Sequence, residues 1–241
     1  NFPYKYFQTN VLGTLNILDK VYKNSKVKKF VYAASSSCYG IGKTPTKEND
    51  DIQTLYPYAL SKFQGEQIVL HWNKVYKLPS NSIRIFNAYG TRVKTSGAYG
   101  AVFGVFLKQK IEKKPFTLVG DGSQKRDFIY VTDVANAFYS VARRGDVGEI
   151  YNCGANNPKS IKYLIELLDG EVVKLPKRPG EPDITWADTK KIEKDTGWKP
   201  TVSFEQGVKK MLKEIDYWKD APLWNQQSIK KATNDWFKYL K

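Results

Sequence analysis

The 241 residues, 41% of them hydrophobic, are enough for one large α/β core with or without a small appended lobe, and they exclude a disordered chain. Thirty-nine basic against 24 acidic side chains give a formal charge of +15, but the lysines are scattered through VYKNSKVKK, LKQKIEKK and VKKMLKEI without interleaved stacking aromatics. Nucleic acid is therefore not the expected partner, whereas an anionic small substrate would profit from the same field.

No run of about 18 apolar residues exists to span a bilayer, and the opening NFPYKYFQTN is not the basic-then-apolar pattern of a secretion signal. The expectation is a soluble, cytoplasmic protein. The two cysteines, Cys38 and Cys153, have no metal-ligand spacing and read as reduced, buried side chains, with no metal site.

From Tyr4 to Lys23 the apolar positions Phe7, Val11, Leu15, Leu18 and Tyr22 recur mostly at helical spacing, predicting a helix. The compact run Lys29 to Ser35 reads as a buried parallel strand ending in hydroxyls. A polar loop leads to a second helix from about Pro57 to Lys77, with proline in its first turn, and then to a strand from Ser82 to Phe86. This order implies right-handed crossovers and a doubly wound parallel sheet, whose ligands bind beyond the carboxyl ends of the strands. Ser35 and Asn87 both fall there.

Beyond Thr91 the expected elements are a helix over 97–111, a strand from Phe116 to Val119, the turn GDGSQKRD and a helix from about Thr132 to Arg144. Short strands near 149–153 and 171–175 follow, with helices near 160–168, 203–219 and 228–240. His71, the lone histidine, reads as a surface residue of the second helix.

Tyr58 and Lys62 share one helical face. An ammonium near a phenol favours the phenolate and makes tyrosine usable as a base. That spacing is common on solvated faces, and it gains weight only because Ser35 ends the preceding strand, where its hydroxyl can bind the same substrate oxygen. Ser36 reads as plain turn.

Asn10-Val-Leu-Gly13-Thr14, Phe30-Val-Tyr-Ala-Ala-Ser35-Ser-Ser-Cys-Tyr39-Gly40, Pro57-Tyr58-Ala-Leu-Ser61-Lys62 and Arg84-Ile-Phe86-Asn87-Ala-Tyr89-Gly90 resemble successive landmarks of the extended short-chain dehydrogenases/reductases. Gly120 to Val134, Arg178-Pro-Gly-Glu181, Ala187-Asp188 and Gly197-Trp198-Lys-Pro200 are similar to the nucleotide-sugar half of NAD-dependent epimerases and dehydratases of the UDP-glucose 4-epimerase type. The resemblance implies a Rossmann-like α/β core from residues 1–91 and about 127–153, and a smaller interleaved lobe from 92–126 and 154–241 that binds the nucleotide sugar. NAD is the implied cofactor.

Tyr58 would then be the acid/base at the sugar hydroxyl, Lys62 would hold the nicotinamide ribose and tune Tyr58, and Ser35 would share the hydrogen bond. Asn10, Ala33, Tyr58, Lys62 and Phe86 would contact the cofactor. Ser35, Ser37, Asn87, Leu118, Arg126, Arg178 and Glu181 would contact the substrate, the two arginines facing the diphosphate.

Sugar 4,6-dehydratases of this kind carry an acidic pair after the serine, and decarboxylases usually an acidic residue; here stand Ser36 and Ser37. The resemblance therefore favours a nucleotide-sugar 4-epimerase acting on a UDP-sugar through a 4-keto intermediate, with a nucleotide-sugar 4,6-dehydratase or decarboxylase on the same scaffold, and a non-catalytic binding scaffold, as the alternatives. It also implies a homodimer built from the first two helices, and polysaccharide precursor synthesis as the setting. No dinucleotide fingerprint precedes Asn10, and Gly97 to Gly104 reads instead as a substrate-side loop and helix. At about 30 residues per βαβ unit, the resemblance implies an N-terminally truncated fold lacking roughly 80 to 100 residues ahead of Asn10.

Overall fold

The computed structural model of the chain describes residues 3–24, 26–93, 95 and 102–239. α1 (Pro3–Phe7), one π-helical turn (Gln8–Leu12) and α2 (Gly13–Val21) form a continuous helical run, as the apolar spacing predicts. β1 (Phe30–Ser35), α3 (Pro57–Tyr76), β2 (Ser80–Ile85) and β3 (Asn87–Tyr89) follow. Pro57 opens α3, where its missing N–H costs nothing, and Lys77 closes it with φ of 56°.

Next come α4 (Val102–Ile111), β4 (Phe116–Val119), β5 (Lys125–Arg126), β6 (Phe128–Tyr130), α5 (Val131–Arg144) and β7 (Ile150–Cys153). The chain continues through β8 (Lys159–Ser160), α6 (Ile161–Leu168), β9 (Val172–Leu175), α7 (Lys190–Thr196), α8 (Phe204–Lys213), α9 (Gln226–Ala232) and α10 (Asn234–Tyr239).

β1, β2 and β7 pair in parallel with β2 in the centre. The two faces of this sheet are covered by different helices, because successive side chains of a strand point to opposite sides. Phe30, Tyr32 and Ala34 pack with Leu18 and Val69 of α2 and α3, whereas Val31 joins Ile83, Ala137 and Val141 in the cluster under α5. This is the doubly wound arrangement expected from the element order. A separate aromatic-rich core joins α4, β4, α6 and α8 through Phe103, Phe106, Phe116, Leu164 and Met211. β3 with β6 and β4 with β9 add parallel pairs, and β5 with β8 an antiparallel one.

Several boundaries depart from expectation. The helix expected over 203–219 ends at Lys213 and gives way to a 3₁₀ turn, Ile215–Trp218. The one expected over 228–240 is two helices, separated where Thr233 takes φ of −103° and folds its hydroxyl back on the Ile229 carbonyl at 2.8 Å. The short, lysine-rich α7 carries too few apolar positions to announce itself. The start of the expected helix over 97–111, together with most of the Gly97 to Gly104 stretch, lies outside the described residues.

Candidate active site

Parallel pairing brings the carboxyl ends of β1 and β2 level, Ser35 opposite Ile85, so Ser35, Phe86 and Asn87 share one edge of the sheet. β1 then turns sharply. The Ser35 hydroxyl oxygen accepts from the Ser37 amide at 3.2 Å and from the Ser37 hydroxyl at 2.9 Å, opening the 3₁₀ turn Ser36–Tyr39. Gly40 follows with φ of 60°, and a Cβ there would meet the Gln53 carbonyl at 2.5 Å. Only glycine allows the following loop to return this closely, and that return delivers Leu55 and Tyr56 to the cleft.

α3 presents Tyr58 in its first turn. The phenol is half-buried and stands edge-on to Tyr6, with ring centroids 5.5 Å apart. Burial raises its pKa above the ordinary value, and a hydrogen bond with the Ser35 side chain opposes that rise. Lys62, one turn on, is pulled below its ordinary value by burial. Its ammonium donates to the Ala33 carbonyl at 2.9 Å and lies 5.5 Å from the centroid of the Tyr32 ring. Burial, Ser35 and Tyr6 are the causes acting on Tyr58 in the chain without ligands.

Asn10, expected at the cofactor, lies beside the first turn of α3. Its amide donates to the Ser61 hydroxyl at 3.0 Å, and Ser61 donates to the Tyr58 carbonyl at 2.9 Å. Asn10 thus clasps the first turn of α3 from the side of the N-terminal helices. Ala33 is exposed on β1, and Phe86 is buried among Cys38, Tyr39 and Ala187 while lining the cleft.

Asn87 is held by Thr185, whose hydroxyl donates to the Asn87 side-chain oxygen at 2.7 Å. Across the cleft, Arg126 donates to the carbonyls of Pro182 at 2.8 Å and Lys125 at 3.0 Å, with Nη2 at 3.8 Å from Glu181 Oε2. Arg178 Nη1 lies 2.9 Å from Glu181 Oε1, so one carboxylate stands between two guanidinium groups. Burial lowers the Arg126 pKa. Behind it, the buried Asp127 carboxylate accepts from the amides of Ala155 and Ala187, each at 2.9 Å, which fixes β6 against two neighbouring loops.

Two adjoining cavities result. The first, about 260 Å³, is lined by Ser35, Ser37, Tyr56, Phe86 and Trp236 among others; the second, about 220 Å³, by Phe103, Phe106, Thr117, Val119 and Arg178 among others. Asn87, Arg126 and Glu181 line both and join them into one cleft. Leu118, expected to contact substrate, has its side chain buried in the aromatic-rich core, while Thr117 and Val119 on either side line the cavity. Tyr56, Thr185 and Trp236 were missed by sequence reasoning. The repeated aromatics of Tyr56-Pro57-Tyr58 offered a signal for the first; none pointed to the other two.

Among the described residues no cluster of His, Cys, Asp and Glu could hold a metal ion, and no helix is long and apolar enough to cross a membrane. Cys38 and Cys153 are free and buried, and His71 is exposed on α3.

A family model described as GDP-mannose 4,6 dehydratase matches residues 1–211. The UDP-glucuronate 4-epimerase of Thermodesulfobacterium geofontis is 35% identical over 219 residues, covering 87% of this chain and 66% of the relative. A putative UDP-glucose 4-epimerase of Methanocaldococcus jannaschii is 34% identical over 211 residues, covering 84% and 68%. Among solved structures, the UDP-glucuronic acid 4-epimerase of Bacillus cereus in complex with UDP-glucuronic acid and NAD superposes with a TM-score of 0.78 at 31% identity, covering 87% of this chain and 67% of that one. The chain spans about two thirds of the length of the curated relatives it matches. With its Rossmann-like parallel sheet and this breadth of match, the chain belongs to the GDP-mannose 4,6 dehydratase family, within the NAD-dependent epimerases and dehydratases of the short-chain dehydrogenase/reductase type.

Proposed function

We propose that this chain carries the acid/base and substrate-binding residues of an NAD-dependent nucleotide-sugar 4-epimerase, with a UDP-sugar as substrate. The observation that carries the reading is one cleft with Ser35 at the end reached by α3 and the Arg126, Glu181 and Arg178 cluster opposite. In this reading residues 1–91 and about 127–153 form the cofactor side, and 92–126 with 154–241 the nucleotide-sugar lobe.

Tyr58 takes the proton of the sugar C4 hydroxyl and later returns it, while Ser35 hydrogen-bonds the same oxygen. Arg126 and Arg178 bind the diphosphate with planar forks suited to phosphate oxygens, and Glu181 holds both in place before substrate arrives. Asn87 and Ser37 bind sugar hydroxyls.

The described residues fit the nicotinamide end of NAD: the exposed Ala33 backbone, Lys62 on its carbonyl, and Ser35 beyond make a polar ledge along the edge of β1. Lys62 would leave that carbonyl for the ribose hydroxyls. When bound, NAD supplies a reversible hydride acceptor for C4. A Gly-rich strand–turn–helix to cradle its pyrophosphate is not among the described residues.

Epimerisation is favoured over dehydration because elimination of water needs an acid and a base beyond the tyrosine. Among the described residues lining the cleft, Glu181 is the carboxylate present, and it is engaged by the arginines. We further propose a cytoplasmic enzyme of polysaccharide precursor synthesis that does not bind nucleic acid. It would act as a homodimer through the N-terminal helical run and α3, where Tyr4, Leu12, Ile17 and Tyr76 are exposed.

The full-length protein, incubated with NAD and UDP-glucose or UDP-N-acetylglucosamine, should yield the C4 epimer by NMR. A 4-keto-6-deoxy product would move the reaction to dehydration. A Tyr58→Phe variant turning over at the wild-type rate would sink the acid/base assignment.

A further inference from the structure

The family match ends at residue 211, and α9 and α10 lie beyond it. α10 nevertheless sends Trp236 into the sugar end of the cleft, beside Tyr56, Arg126 and Glu181. The indole is firmly placed. Its Nε1 donates to the Pro179 carbonyl at 2.6 Å, its ring lies 5.8 Å from the Arg178 guanidinium carbon, and its centroid is 6.3 Å from that of Tyr56. The helices carrying it are anchored in turn: Ile229 is buried in α9, and Asn225 and Ser228 form a reciprocal cap at its start.

The lining of this end is divided by chemistry. Ser35, Ser37, Asn87 and Thr185 present hydroxyl and amide groups suited to sugar hydroxyls, whereas Tyr56 and Trp236 present aromatic carbon. A pyranose has the complementary division, with hydroxyls at its rim and C–H groups on its faces. We propose that Trp236 is a substrate-contacting, specificity-determining residue whose indole, with Tyr56, forms the wall on which the hexopyranose ring of the nucleotide sugar packs. The inference rests on the nucleotide-sugar reading above. It adds that sugar selection is exercised partly by a segment outside the family match.

The test is calorimetric titration of the full-length protein with UDP and with UDP-glucose. Trp236→Ala should weaken UDP-glucose by about three- to tenfold, the worth of one aromatic packing contact, while UDP itself stays within about twofold. Trp236→Phe, which keeps a ring but loses the Pro179 hydrogen bond, should restore most of the difference. Parallel weakening of UDP and UDP-glucose would overturn the proposal, because Trp236 would then act by steadying Arg178. Unchanged binding of both would overturn it as well. Failure of the wild type to bind either ligand would instead remove the nucleotide-sugar reading, and this inference with it.

Discussion

Glu66 on α3 and Arg84 on β2 form an ion pair of 2.6 Å whose side chains are only 1% and 3% exposed. The pair sits two helical turns below Tyr58 and on the strand that leads to Phe86 and Asn87. Ser82 donates to the same carboxylate at 2.8 Å, and Arg84 reaches on to the Tyr39 hydroxyl at 2.8 Å and the Glu48 carbonyl at 3.0 Å. Helix α3, strand β2 and the loop after β1 are thereby tied at one point beside the cleft. Removing one member strands a buried charge, so Arg84→Met should cost about 3–5 kcal/mol of stability in urea denaturation. The double variant Glu66→Leu with Arg84→Met should recover a large part of that loss; a double variant as unstable as the sum of its singles would contradict this account.

Gly65 lies on α3 facing Tyr32 of β1 and the backbone at Asn10. A Cβ there would meet the Tyr32 hydroxyl at 2.1 Å and the Asn10 carbonyl at 2.6 Å. The second of these is backbone and cannot swing aside. Gly65→Ala, although favourable for an isolated helix, should therefore destabilise the fold by about 1–3 kcal/mol. Thermal or urea unfolding would check it, and a stabilised variant would show that α3 can shift freely.

The Tyr58 phenol has a raised pKa because burial disfavours its charged form. Since the folded value lies above the 10.0 of an ordinary phenol, its contribution to stability is fully present below pH 10 and is lost as pH rises through the folded value. In the chain without ligands, ultraviolet difference titration of wild type against Tyr58→Phe should assign Tyr58 a step above pH 10. A step in the neutral range would mean that Lys62 already lowers the phenol's pKa without ligand.

Arg126 presents its guanidinium to the cleft from a rigid setting, held by two backbone carbonyls and Glu181. Arg126→Ala should weaken UDP by about 10- to 100-fold, the range expected for lost hydrogen bonds to a charged group. Lysine at this position should rescue only part of the affinity, because a point charge cannot reproduce the fork. Titration calorimetry would decide, and full rescue by lysine would reduce the role of Arg126 to net charge.

Much of the architecture was legible locally. The period of α3, the proline at its start and the hydroxyl cluster ending β1 are short-range signals, and together they placed Ser35, Tyr58 and Lys62 on elements that share a sheet edge. What no local signal carries is the direction in which a side chain is committed. Lys62 turns to Ala33 across 29 residues of chain, Asn10 to Ser61 across 51, and Trp236 to Pro179 across 57. β4 turns the Leu118 side chain into the core and leaves Thr117 and Val119 at the cavity. The order of elements and the chemistry available at the sheet edge can be read from the chain alone, because helical and strand periods are local properties. Tertiary structure alone decided which groups meet across the cleft, because that depends on how distant segments pack and which buried polar atoms must find partners.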